Sequence, residues 1–305
     1  MIAFIVRRLL LVGVVAWGAA TLAFFLLYLS GDPVDLLLPL DASPEARAEL
    51  RRAYGFDDPL YVQYSRYLWK LAHGDFGVSL RSQEPALGLV LGRMPATLQL
   101  AGAGLLFALI LGIPAGVLAA LKKGTFIELL VMVLALLGQS IPVYFLGLVL
   151  IMIFGLKLHW LPISGYGTLR HLILPTITVG TFVTASIARL TRNGVLQELR
   201  SDYVRTARAK GLHERVVVYK HALRNAAIPV VTIVGLQLGA LLSGAVITET
   251  IFAWPGMGRF VLLAVEQGDF PVVQASVIVF ALMLALVNLL VDLAYLWLDP
   301  RVRYA

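Results

Sequence analysis

"RTARAKGLHERVVVYKHALRNA" runs from Arg205 to Ala226 and carries Arg205, Arg208, Lys210, Arg215, Lys220 and Arg224 against a single acid, Glu214. Oily sequence follows at once. Over the 305 residues 59% are hydrophobic and the mean hydropathy is +0.85. A water-soluble fold with that makeup would expose too much apolar surface. The block is therefore a hydrophilic interruption in a chain built for lipid.

Outward from the block, apolar runs recur at lengths that cross a bilayer, which takes about 20 helical residues. Six spans are predicted: Leu9 to Leu29, Thr97 to Leu121, Phe126 to Phe154, His171 to Leu190, Ile228 to Thr248 and Val272 to Leu298. The first is too long for a signal peptide and no small-residue cleavage site follows it, so it reads as a retained anchor. Barrel strands would alternate over short segments instead. The expectation is an all-α polytopic membrane protein with six transmembrane helices.

Charge placement orients it. With the N-terminus inside, the inner segments hold Arg7, Arg8, Lys122, Lys123, nine Lys/Arg from Arg189 to Arg224, Arg301 and Arg303. The short outer loops hold Lys157, Arg170 and Arg259. Lys and Arg concentrate on the cytoplasmic side, so both termini are expected there. The longer outer segment, Gly31 to Pro95, has seven Lys/Arg and nine Asp/Glu. It carries two helix signatures. Ser43 caps, Pro44 and Glu45 start and Gly55 stops one helix; Asp58, Pro59 and Gly74 do the same for another. This extracytoplasmic helical insertion is either a lid on the helix ends or a docking surface for an external partner.

Small residues recur every fourth position at Gly104, Ala108, Gly112 and Gly116, and again at Gly235, Gly239 and Ser243. Such stripes let helices approach closely; a pathway wall is the other reading. "GQSIPVY" puts Pro142 inside the third span beside Gln139 and Ser140. Proline kinks a helix, and polar groups at that depth must face protein or water. Gln139, Ser140, Gln237 and Ser243 are the candidate pathway-lining residues, on polarity and size alone.

Several chemistries find no support. There is no cysteine, no GxxxxGK[ST] phosphate loop, no nucleophile elbow and no His pair at metal-ligand spacing. No catalytic or metal site is expected, and an intramembrane hydrolase lacks a nucleophile–base pair. Acids inside the spans are nearly missing: Asp292 lies in the sixth and Glu249 at the outer end of the fifth, whereas a proton- or sodium-coupled carrier needs buried ionisable groups at mid-membrane. If the protein moves a solute uphill, another subunit supplies the energy.

The block itself reads as helix, Gly211, helix. A loop touching anionic lipid heads explains its charge but not that organisation. Here the sequence resembles the EAA loop of membrane subunits of ATP-binding-cassette (ABC) importers, in the dipeptide, oligopeptide and nickel permease form. The general pattern is Glu-Ala-Ala, three residues, Gly, nine residues, then Ile-x-Leu-Pro. Anchored on Gly211 it falls on Arg205, Thr206 and Ala207, then His221, Leu223 and Arg224. Ala207, Gly211 and Leu223 match by type; the other four positions resemble the peptide-permease variant. "GDP" (31–33), "GDFG" (74–77), "MPATL" (94–98), "LILP" (172–175), "FAWPGMGR" (252–259), "DFPVVQA" (269–275) and "LDPRVRY" (298–304) resemble the same family.

The resemblance implies a type I importer permease fold: residues 1–30 a transmembrane helix, 31–95 the extracytoplasmic segment, and 96–305 the core with a cytoplasmic coupling loop at 193–227. It implies a second homologous permease subunit, two ATPases that bind ATP and Mg²⁺, and an extracytoplasmic solute-binding protein. No cofactor is expected in this chain. The ATPase-coupling residues would be Asp202, Tyr203, Arg205, Thr206, Ala207, Arg208, Ala209, Lys210, Gly211 and Leu212. Peptide import into a bacterium or archaeon across the cytoplasmic membrane is the leading expectation. Nickel or another small solute, glutathione-like for instance, is the alternative within the family; a stand-alone carrier or channel lies outside it, and nucleic-acid binding rests on charge alone.

Overall fold

The computed structural model describes residues 2–29, 34 and 43–298. The motifs at 31–33 and 299–304 and the side chains of Ser243 and Asp292 lie outside the described residues. In order the helices are α1 Ile2–Leu29, α2 Pro44–Tyr54, α3 Leu60–Ala72, α4 Ala86–Leu121, α5 Phe126–Ser140, α6 Val143–Leu150, α7 Leu169–Glu198, α8 Asp202–Ala209, α9 Glu214–Val216, α10 Leu223–Ile251, α11 Met257–Glu266 and α12 Phe270–Leu298. Wider π-helical stretches extend α6 through Ile151–Lys157 and join α9 to α10 through Val217–Ala222. No β-strand occurs among the described residues; Val78 and Pro85 make one isolated bridge.

Among the described residues four helices, α1, α4, α7 and α12, are long and apolar enough to cross a membrane, and α5 with the extended α6 passes that test only as a bent pair, a broken span or a re-entrant loop. In α10 the described apolar part is Gln237–Ile251. The outward faces are bare hydrocarbon: Leu10, Leu22, Ile110 and Leu134 are all more than half exposed. Lipid tails are as apolar as leucine and solvate these faces at no cost.

The third predicted span needs correction. It is not one kinked helix from Phe126 to Phe154. The chain breaks at Ile141–Pro142 and turns by 102°. Ile141 takes the extended backbone that a following proline imposes (φ −75°, ψ 123°). Pro142 then serves as N-cap of α6, where its missing N–H costs nothing.

The chain divides into two compact units, Met1–Pro95 with Arg259–Leu286, and Ala96–Gly258 with Val287–Ala305. In the first, α2 follows its sequence signature. The Ser43 hydroxyl accepts from Ala46 N at 3.2 Å, Pro44 opens the helix, and Gly55 closes it at φ +68°. The left-handed backbone there is what calls for glycine; the Arg66 guanidinium that a Cβ would meet is the mobile end of its side chain. Asp58 does not cap α3, contrary to expectation. Its carboxylate accepts from Arg66 at 2.5 Å, and Pro59 occupies the cap without a side-chain bond. A guanidinium is a better partner for a carboxylate than a neutral N–H.

Aromatic contacts seat α3 on α1. Phe24 meets the rings of Tyr64 and Tyr67 at 5.3 and 5.4 Å, and Thr21 shares a 2.7 Å hydrogen bond with the Tyr64 hydroxyl. Asp269, 4% exposed, ties the other end of the segment. It accepts from Ser79 Oγ at 2.5 Å and Leu80 N at 3.2 Å. Arg93 lies over the Phe260 ring at 5.3 Å.

In the second unit α7 is the hub on which α5, α6 and α10 pack. The glycine stripe of α4 supplies a fourth neighbour. A Cβ on Gly104 would come within 2.7 Å of Val179, on Gly112 within 2.9 Å of Ile187, and on Gly116 within 2.4 Å of the Ala188 carbonyl. Gly235 of α10 meets Val291 in the same manner. The α4 stripe and Gly235 serve close helix packing.

Candidate functional site

α8 is an eight-residue helix with one apolar edge. Val204 and Ala207, three apart, share a face. Both are buried, with Val217 and the partly buried Leu199 against them. At 100° per residue, Asp202, Arg205, Thr206 and Ala209 point the opposite way, and all four are exposed. Ala207 is therefore committed to its own chain. The free face available to a partner is the other one.

Gly211 ends the helix at φ +77°. Its N–H bonds the Arg208 carbonyl at 2.9 Å and Leu212 N bonds the Ala207 carbonyl at 3.3 Å. This closes α8 with a glycine in the left-handed region. Arg208 then clamps the turn: its Nε and Nη2 donate to the two Glu214 oxygens at 3.1 and 2.6 Å. That bonding holds the Glu214 carboxyl below its usual range and raises Arg208. Both side chains are about half exposed, so the clamp orders the turn more than it stabilises the fold. Lys210, Gly211 and Leu212 are exposed beside it.

Tyr203 ties α8 to the helices on either side. Its hydroxyl donates to the Glu198 carboxylate at the end of α7 and accepts from Asn225 Nδ2 of α10 at 2.9 Å. Partial burial is the main cause raising its pKa, followed by the Glu198 bond, so it stays a hydroxyl near neutrality. Ser201 turns its own hydroxyl back to the Glu198 carbonyl at 2.6 Å. Arg205 pairs with Asp202 at 3.2 Å in full solvent. Sequence reasoning missed Glu198, Glu214 and Asn225 as partners: each lies beyond one helical turn of the residue it holds.

Among the pathway candidates, Gln139 accepts from Arg189, and Ser140 donates back to the Leu136 carbonyl at 2.9 Å. Gln237 is half-buried. A nearby cavity of about 320 Å³ is walled by Phe107, Leu134, Gly138, Thr181 and Thr184; neither Gln139 nor Ser140 lines it. Thr181 and Thr184 bond the Ile177 and Gly180 carbonyls, so the wall presents their methyl groups. At the foot of α5, Glu128 receives Arg192 and the Gly124 N–H, a partly buried ion pair joining α5 to α7.

Glu249 is the strongest feature the sequence under-rated. It is fully buried. Thr97 Oγ1 donates to it at 2.6 Å and accepts from Met257 N at 2.8 Å. Gly256 packs on the carboxylate so closely that a Cβ would sit 2.0 Å from an oxygen. Trp254, 1% exposed, donates its ring N–H to the Ala96 carbonyl at 2.8 Å and takes the Tyr166 ring edge-on at 4.7 Å. "FAWPGMG" thus knots the end of α10 to α4. A buried polar group hydrogen-bonded in this way is costly to disturb.

Residues 112–304 match the family described as binding-protein-dependent transport system inner membrane component. Residues 1–101 match its N-terminal family. The chain belongs to this family and is a multi-pass membrane component of a transport system. The dipeptide transport system permease protein DppB of Alkalihalophilus pseudofirmus is 42% identical, with all of both chains covered. The di/tripeptide transport system permease protein DppB of Pseudomonas aeruginosa is 43% identical, covering 100% of this chain and 99% of the relative. The glutathione transport system permease protein GsiC of Escherichia coli is 41% identical over the whole of both. Among solved structures, the inward-facing MetNI methionine ABC transporter matches 69% of this chain and 96% of its own, at TM-score 0.57 and 18% identity. An amino acid ABC transporter with histidines matches 68% and 93%, at TM-score 0.52 and 16% identity. These neighbours share the type I importer permease fold.

Proposed function

We propose that this chain is the permease subunit of an ATP-driven importer of small peptides. It forms half of the pathway beside a second homologous permease, with two ATP-binding subunits on the cytoplasmic side and a solute-binding protein outside. ATP and Mg²⁺ reside on the ATPases. Both termini are cytoplasmic, and the membrane is the cytoplasmic membrane of a bacterium or archaeon. The observation that carries the substrate class is the 42–43% identity, over the whole chain, to permeases named for dipeptides and tripeptides. A glutathione-like solute is the second reading, favoured by the 41% relative; it too is a short peptide in chemistry.

In this reading α8 docks on an ATPase through Asp202, Arg205, Thr206 and Ala209. Tyr203, Val204 and Ala207 fasten α8 to α7 and α10, so a push on the free face moves those helices as one body. Basic residues around α8 steer the ATPase into register more than they add affinity. Capture of the chain from its native membrane and mass spectrometry of what accompanies it tests the assembly; uptake of labelled dipeptide tests the substrate. Ala209→Trp, on the exposed face, is expected to abolish uptake while the chain stays folded and inserted. Unchanged uptake, or recovery of the chain alone in stable form, would refute the coupling assignment.

A further inference from the structure

Two cavities in the first unit meet at Phe270 and Gln274. One, about 300 Å³, is a groove between α1 and α12 walled by Ala23, Leu26, Val265 and Val273. Both helices are candidate spans, so this groove faces hydrocarbon. The other, about 380 Å³, lies under α3 and is lined by aromatic rings with Arg66, Lys70 and Asp75 at its edge. Both volumes fall in the range of ligand pockets, about 300–1,000 Å³. Helix α3 leaves Tyr61 and Trp69 exposed, the residue types that settle at the membrane–water boundary. The pair therefore forms one amphipathic slot, oily at one end and polar at the other.

Charge selects the occupant. The rim holds two cations and one carboxylate. Lys70 has no ion-pair partner among the described residues, whereas Asp75 already accepts from Gly77 N at 2.9 Å. Arg66 is taken by Asp58, so the formal charges here cancel, and the unpaired ammonium of Lys70 is the group that a phosphodiester would meet. Tyr67 supplies a second reason. Its hydroxyl is buried in this wall without a hydrogen-bond partner, and such a group calls for an explanation. Burial, then the neighbouring Tyr64, pushes its pKa above the usual tyrosine range, so it remains a donor. An incoming phosphate or ester oxygen would satisfy it after a small turn of the side chain.

We infer that this slot binds a glycerophospholipid, with one acyl chain in the α1–α12 groove and the phosphodiester at Lys70 and Tyr67 beneath α3. The inference stands on the chain's membrane setting alone, whatever solute is transported. The test uses the full chain, with its accompanying subunits, in nanodiscs of phosphatidylglycerol and phosphatidylethanolamine. A phospholipid with a photoreactive diazirine along one acyl chain is included. Crosslinks are expected to concentrate on peptides holding Leu26 and Val273. Tyr67→Phe, which keeps the ring, should lower their yield about two- to tenfold, the value of one hydrogen bond. Val273→Trp, which fills the groove, should abolish them; if that variant fails to fold, Lys70→Gln takes its place and should lower them. Labelling spread evenly over the exposed faces of α1 and α12, or unchanged in Tyr67→Phe and Lys70→Gln, would overturn the site as ordinary surrounding lipid. Protection of these residues by a soluble binding protein, with no lipid label, would overturn it in favour of a protein occupant.

Discussion

Tyr203→Phe removes one oxygen atom and leaves the ring in place. The lost hydroxyl makes two bonds, to the Glu198 carboxylate and from Asn225. A neutral bond contributes about 0.5–1.5 kcal/mol net, and one to a charged group about 1.5–3. Tyr203 is 38% exposed, so water replaces part of both, and a loss of about 1–2 kcal/mol is the working figure. The loss is local, because α8 is held by few contacts: Val204 and Ala207, this hydroxyl and the Arg208–Glu214 clamp. A change of that size alters a local opening equilibrium by about 5- to 30-fold. Hydrogen exchange of residues 202–212, measured on the full chain in nanodiscs, should quicken by that factor while α4 keeps its rates. Exchange that is unchanged, or raised equally throughout, would show that Tyr203 does not fasten the block. Under the proposed coupling to ATPase subunits, the same change should raise the ATP hydrolysed per solute moved, since a loosened α8 would transmit less of its displacement.

Three other outcomes follow from the geometry. Thr97→Val takes the hydroxyl from Glu249 and Met257 N together, leaving buried polar groups short of partners; a loss of about 1–3 kcal/mol should appear as a lower thermal midpoint of the purified chain. Gly116→Leu has no room against the Ala188 carbonyl and should separate α4 from α7, seen as loss of folded, monodisperse protein, whereas Gly124→Ala, with open space around it, should cost only about 1–2 kcal/mol of backbone strain at φ +77°. Glu214 has its pKa lowered in the folded chain by Arg208, so its contribution is complete above the unfolded carboxylate pKa of about 4.3 and fades as pH falls through the lower folded value; exchange protection of residues 208–214 should hold from neutral pH to about 5 and weaken below about 4, and Glu214→Gln should abolish that dependence.

Much of this protein is legible along the chain because the bilayer is a severe solvent. Apolar runs near 20 residues announce α1, α4, α7 and α12, and Ser43, Pro44 and Gly55 set both ends of α2. The basic block likewise declares its helix, its Gly211 stop and its next helix. The spacing of Gly104, Gly112 and Gly116 foretold a close helix contact but not its partner, which is α7.

What the sequence could not decide depends on contacts distant in the chain. Pro142 is visible as a break, but whether it bends a helix gently or turns it by 102° depends on how α5 and α6 each pack on α7. Asp58 looked like a cap until Arg66 was placed beside it. α11 went unread because ten residues of mixed character show too few turns for a period. Glu249 looked like a boundary acid; its burial follows from Thr97, 152 residues away, and from the Gly256 backbone. Which edge of α8 is free is fixed by Val217 and Leu199 on the other. Local chemistry sets where helices begin, end and meet lipid, because those costs fall on each residue alone; which faces are shared, and hence which remain for a partner, is settled only when the helices pack.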